Sequence, residues 1–140
     1  MDSGCFLDTN IFIRYLAADH EHHTPIAQNM FRAIEMGQLV ADTNITVIFE
    51  TIYTMTSRYK VDRSDMAETL ASLISLPGLR LDSKQNILVS LDLWTTIKRL
   101  SFADAYHLVL ASHLPHRTIA SFDRGMDICL PGVTRIEEFP

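Results

Sequence analysis

Four acidic residues, Asp8, Glu50, Asp104 and Asp123, are the places where this sequence could do chemistry. Asp8 ends a short apolar run, Gly4 to Leu7, that reads as a buried strand, and a helical pattern begins within two residues. In open α/β sheets, ligand sites form just beyond the carboxyl ends of strands. The plainer role for Asp8 is to cap the helix that starts near Ile11, with Thr9 and Asn10 as rival caps. That residue alone leaves both roles open. Glu50 is the sole acid between Asp42 and Asp62, set among β-branched and aromatic side chains from Thr46 to Tyr53. A mid-helix position has no free backbone donor to cap. Glu50 therefore points to water, pairing with a base such as Arg14, or meets a partner, because burying it unpaired is costly. Asp104 stands at capping-box spacing from Ser101, which is a structural role. Asp is shorter than the usual Glu of such a box, and Ala103 and Ala105 would let another element approach closely. Asp123 closes an apolar strand as Asp8 does.

Two parallel strands that each end in Asp place two carboxylates on one rim of a sheet, and helix starts can bring Glu50 and Asp104 to it. Carboxylates a few ångströms apart repel by about 4 kcal/mol per close pair near a surface. Such a cluster protonates or holds a cation. All-oxygen donors select Mg²⁺ or Mn²⁺ over zinc or copper. Metals held this way suit in-line attack of water on phosphodiesters.

The elements needed to position these acids are legible in order. A strand over 4–7 is followed by a helix over 11–17 and a polar loop, Asp19 to His23. Thr24-Pro25 reads as a helix start, with apolar stripes at i, i+4 up to Gly37. Gln38 to Ala41 is a second strand. Asp42 to Asn44 opens a third helix that runs to about Tyr59. Asp62 caps a fourth, broken by Pro77-Gly78, and Leu79 to Leu81 is a third strand. Asp82 and Gln85 have capping-box spacing for a fifth helix, and Ser101 opens a sixth that ends near His113. Thr118 to Phe122 and Val133 to Ile136 are the last strands, with a Pro131-Gly132 turn before the second. Regular alternation of short strands and helices predicts an α/β fold with a mostly parallel sheet.

Composition narrows the alternatives. The 140 residues predict one domain with one core, spanning 1–140. Five glycines, none in G-x-G-x-x-G, P-loop or G-x-S-x-G spacing, exclude dinucleotide, Walker-type and serine-hydrolase sites. The formal net charge of −5 speaks mildly against bulk electrostatic binding of nucleic acid, although bound divalent metal would offset four clustered acids. Cys5 and Cys129 are read as small buried hydrophobes of a reducing compartment. With no basic n-region and no membrane-length apolar run, a cytoplasmic protein without membrane contact is expected. His20-Glu21-His22-His23 resembles a metal tract but falls in a predicted solvent-exposed loop. Arg124, beside Asp123, could bind a phosphate bidentately, although a solvated surface charge is the plainer reading.

Leu7-Asp8-Thr9-Asn10, Thr46-x-x-x-Glu50, Ser101-Phe102-Ala103-Asp104-Ala105 and Ser121-Phe122-Asp123, in this order, resemble the signature of PIN-domain nucleases, and of the VapC-type toxins of toxin–antitoxin operons in particular. The resemblance implies a three-layer αβα sandwich with a five-stranded parallel sheet. It implies Mg²⁺- or Mn²⁺-dependent cleavage of RNA, a homodimer, and an antitoxin that blocks the site. Asp8, Glu50, Asp104 and Asp123 match the acidic metal positions, and Thr9, Asn10 and Ser121 match polar positions near them. One departure stands out. Where many relatives carry a second Asp followed by an aromatic, this chain has Gly125 and Met126, with Asp127 one further on, so a second metal position is expected to be weak or rebuilt through Asp127. Two other readings compete. An aspartyl-nucleophile phosphohydrolase would use Asp8, but Asn10 stands where its second Asp is wanted, and Lys84 and Lys98 lack a fitting context. A non-catalytic acidic module that binds metal, RNA or a partner is the third.

Overall fold

The computed structural model describes residues 4–138. Two compact units, Met1–Lys84 and Gln85–Pro140, divide the chain.

The first unit is built on a parallel sheet of β1 (Gly4–Phe6), β2 (Val40–Asp42) and β3 (Leu79–Arg80), with β2 central. Gly4 lies opposite Val40, Phe6 opposite Asp42, and Asp42 opposite Arg80. Between strands run α1 (Thr9–Ala17), α2 (His23–Glu35), α3 (Ile45–Ser57) and α4 (Arg63–Ile74). α1 packs on both α2 and α3. The ring of Phe12 meets Phe31 edge-on at 5.3 Å, and Ile34, Ile48, Leu70 and Ile74 are fully buried in the same unit. Gly78 allows a close pass: a Cβ there would meet the Ile34 carbonyl oxygen at 3.0 Å.

Side-chain caps open α3, α4 and α6. Asn44 accepts from the Val47 amide at 3.1 Å, and Asp62 from those of Ser64 and Asp65. α2 departs from expectation. It begins at His23, and the Nδ1 of His20 accepts from the His23 amide at 2.8 Å. Thr24 is buried and donates its hydroxyl to the Arg14 carbonyl instead of capping. The helix thus begins one residue before the expected cap, and the His23 amide at its start is served by a ring nitrogen three residues upstream. The tract is otherwise as read: His22 and His23 are exposed, and the rings of His20 and His23 stack at 4.0 Å.

The second unit holds most of α5 (Lys84–Thr96), then α6 (Phe102–Ser112), β4 (Thr118–Ala120), a 3-10 turn over Arg124–Met126 and β5 (Thr134–Ile136). β4 and β5 are parallel, with Thr118 opposite Thr134 and Ala120 opposite Ile136. α6 packs on β4, and Trp94 meets Phe102 edge-on at 5.9 Å.

The alternation of helices and strands and the parallel pairing are as expected. Three other expectations are corrected. Hydrogen bonding gives a three-stranded and a two-stranded sheet in place of one of five strands. Among the described residues every strand is two or three residues long, so each ladder has few bonds, and hydrophobic patterning does not specify which strands share one. Gly4 to Phe6 is exposed, with burial beginning at Leu7, because β1 has a hydrogen-bonded neighbour on one side only. Cys5 is therefore exposed, while Cys129 is buried as expected. The Asp82/Gln85 capping box is replaced by a turn: Ser83 takes φ +57° and the helix starts at Lys84.

Candidate active site

In the first unit, Asp8 lies two residues beyond β1 and is exposed. It occupies the N-cap position of α1, yet its carboxylate makes no capping hydrogen bond. The backbone before it is held at both ends. The Leu7 amide donates to the Asp42 carbonyl at 2.8 Å, and the Leu7 carbonyl accepts from the buried Thr43 hydroxyl at 3.1 Å. The sequence reading missed Thr43; its signal was the run of turn-forming residues Asp42-Thr43-Asn44 between a strand and a helix. Thr9, buried, donates its hydroxyl to Glu50 Oε2 at 3.2 Å. Glu50 is thus exposed on α3 with Thr9 as its partner, and not a base such as Arg14. The unit brings Glu50 to the residue beside Asp8. Asn10 is exposed on the first turn of α1.

Asp42, at the end of β2, serves structure. Arg80 donates to both its oxygens at 2.8 and 2.9 Å, and these bonds hold its carboxyl below the usual carboxylate range. Lys84 donates its ammonium to the carbonyls of Leu76 and Leu79 at 3.0 and 2.6 Å, so it ties the start of α5 to the β3 turn.

In the second unit, Asp104 is half-buried in the first turn of α6. Ser101 accepts from the Asp104 amide at 3.1 Å, so one half of the capping box forms. Asp123 follows β4 by three residues. Its amide donates to the half-buried Ser121 hydroxyl at 3.0 Å, and its Oδ1 accepts from the Gly125 amide at 2.8 Å. A Cβ on residue 125 would meet Asp123 Oδ1 at 2.9 Å, which explains why a side-chain-free residue suits this place. Met126 is buried.

Two arginines brace the loop that carries Asp123. Arg135, whose side chain is 9% exposed, donates to Asp127 Oδ1 at 2.5 Å and Oδ2 at 3.2 Å, to the Ser121 carbonyl at 2.7 Å and to Glu137 at 2.7 Å. Arg99 donates to the carbonyls of Gly125 at 2.7 Å and Asp127 at 3.0 Å. The Asp127 carboxylate is therefore committed to Arg135. Arg124 is exposed, with Glu137 at 3.5 Å.

The fork from Arg135 has a consequence for acid stability. Its hydrogen bonds are the main reason that the Asp127 carboxyl lies below the usual carboxylate range. A carboxyl depressed in the folded state binds its proton more weakly there than in the unfolded chain. The pair's contribution is therefore full above about pH 4 and is lost as the pH falls through the folded value. Arg135→Met should lower Tm at pH 7, and the gap to the parent should narrow as the pH drops below about 4. Melting curves across pH 2 to 7 measure this; a gap that stays constant would disprove the linkage.

Among the described residues, no group of three or more His, Cys, Asp or Glu side chains is arranged to hold a metal ion. Asp8 and Glu50 lie in the first unit, and Asp104 and Asp123 in the second. Their donor chemistry fits a hard divalent cation: the Asp8 carboxylate makes no cap, Glu50 accepts a neutral hydroxyl, and Asp123 uses Oδ1 for a backbone amide.

Residues 5–128 match the PIN domain family. The chain belongs to that family. The matched segment runs through both compact units and includes Asp8, Thr9, Asn10, Glu50, Asp104, Ser121, Asp123 and Arg124. PIN domains are generally nucleases, hydrolases of phosphodiester bonds, and they typically use divalent metal ions. No curated protein matches the chain. Among the described residues of this PIN-domain protein, no helix is long and apolar enough to cross a membrane.

Proposed function

We propose that this PIN-domain protein is an endoribonuclease that hydrolyses RNA with Mg²⁺ or Mn²⁺, and that it acts as the cytoplasmic toxin of a toxin–antitoxin pair. The observation that carries the reading is at the first strand end. Asp8 occupies a capping position without capping, and its neighbour Thr9 holds Glu50 by a hydrogen bond. A pair of carboxylates kept free of structural duty is what a hard cation needs.

In this reading Asp8, Glu50, Asp104 and Asp123 supply oxygen donors. When bound, the cation supplies positive charge that lowers the pKa of water and offsets charge on the phosphodiester. Thr9 fixes the Glu50 carboxylate, and Ser121 fixes the backbone of Asp123. Arg124, with its exposed guanidinium, binds phosphate through its planar fork, and Asn10 and Ser121 present polar groups to the substrate. The proposed partners are RNA, a second copy of the chain and an antitoxin that offers an Arg or Lys to the acids. The phosphohydrolase alternative loses support from Lys84, whose ammonium is occupied by two backbone carbonyls.

The test is incubation of the full chain with single-stranded RNA and Mg²⁺ or Mn²⁺, with and without EDTA. Cleavage should appear with metal and fall by more than about 100-fold with the chelator, since losing even an outer-shell partner of a metal costs about 10- to 100-fold. Undiminished cleavage in EDTA would reject metal dependence. Tight RNA binding without cleavage would leave the non-catalytic module.

A further inference from the structure

The loop from Ser121 to Ile128 carries two large apolar side chains that its own packing does not use. Phe122 is 86% exposed and Ile128 is 96% exposed. Single exposed hydrophobes are ordinary on protein surfaces. These two sit on a backbone that is held tightly. Ser121 donates its amide to the Ile136 carbonyl at 3.0 Å, and its own carbonyl accepts from Arg135. The Met126 amide donates to the Asp123 carbonyl, and Arg99 grips the carbonyls of Gly125 and Asp127. Ile128 stands at φ +58°, a conformation that a β-branched side chain adopts only against a steric cost. Strain kept in a braced loop beside a candidate catalytic acid points to a surface shaped for binding.

We propose that Phe122 is a stacking platform for a nucleobase of single-stranded RNA, positioning the substrate at Asp123. This inference rests on the nuclease reading above. Three features favour a nucleobase over an apolar protein surface. The ring is flat and presented almost whole to solvent. The next residue but one, Arg124, has a side chain 82% exposed and able to meet a phosphate of the same strand. The residue between them is the acid Asp123. Aromatic ring, carboxylate and guanidinium on consecutive residues match the base, the scissile group and the backbone charge of a nucleotide chain. Base stacking on a ring tolerates all four bases, so Phe122 would favour unpaired RNA without selecting its sequence.

Phe122 acts here as a positioning residue, and its effect should show in binding. The probes are a single-stranded oligoadenylate and an RNA duplex of equal length, both in EDTA so that nothing is cut. Phe122→Leu should weaken oligoadenylate binding by about 10- to 100-fold, and Phe122→Trp should keep it. The duplex should bind the parent and the Leu variant alike. The introduced indole gives a second readout. The native Trp94 is buried, so quenching by oligoadenylate specific to the Trp variant reports stacking at position 122. In metal, Phe122→Leu should raise KM and leave kcat nearly unchanged. Melting curves confirm that the variants are folded, as expected for a side chain outside the core.

Equal affinity of the parent and Phe122→Leu for oligoadenylate, or no added quenching in Phe122→Trp, overturns the proposal. So does a Leu variant with unchanged RNA affinity but a lower mass by light scattering, which would assign the ring to a protein contact. Quenching with loss of affinity in the Leu variant supports it whether or not the parent cleaves RNA. Failure of the nuclease reading is thus seen separately, in the cleavage assay.

Discussion

Asp8→Asn should reduce metal-dependent RNA cleavage by more than about 100-fold while the protein stays folded. The expected size exceeds that for outer-shell partners of metals, about 10- to 100-fold, because Asp8 is proposed as a direct donor. The substitution keeps the shape of the side chain and removes its charge. Its structural cost should be small, since the carboxylate makes no capping bond and faces solvent. The Leu7 backbone that delivers it is held by Asp42 and Thr43, neither of which the substitution touches. Cleavage of single-stranded RNA in Mg²⁺ or Mn²⁺, beside a melting curve of the metal-free protein, separates lost chemistry from lost fold. Full activity of Asp8→Asn would remove Asp8 from the metal site. Inactivity accompanied by a large fall in Tm would assign it a structural role.

Phe12→Ala should destabilise the protein by about 3 to 5 kcal/mol, the range for deleting a buried aromatic side chain. Phe12 is completely buried and meets Phe31 of α2 edge-on. The gap left behind lies where α1 packs on its neighbours, with little room to collapse around fixed helices. Tm should fall by roughly 10 °C or more. The same helix begins at Thr9, the donor to Glu50. A looser α1 should therefore raise the metal concentration needed for half-maximal cleavage, measured well below the new Tm. A fall in Tm of only a degree or two would mean that the α1 contact carries little of the first unit's stability.

The local rules that read the helices depend on neighbours three or four residues apart, and at α3, α4 and α6 the chain alone determined the outcome, whereas at α2 and α5 other contacts replaced the expected caps. Asn44, Asp62 and Ser101 cap α3, α4 and α6 as their residue types and spacing require. The apolar stripes predicted the buried faces, Ile48 and Ile52 on α3 and Leu70, Leu73 and Ile74 on α4 among them. Acids after the first and fourth strands were legible for the same reason, because a short apolar run ending in Asp is a local pattern. The 41-position separation of Thr9 and Glu50 follows no period, and only the packing of α1 on α3 joined them. Likewise the sequence left Asp127 free to join a metal site, whereas the fold gave it to Arg135 from β5. The turn-forming run around Thr43 marked a loop but not its bond, because the partner is a backbone carbonyl, which every residue carries. Strand pairing was the least legible feature, since runs of two or three residues carry too little pattern to choose neighbours. What each acid is, and which element bears it, follows from local sequence; which groups hold it in place follows from contacts between distant segments, and only the tertiary structure makes those.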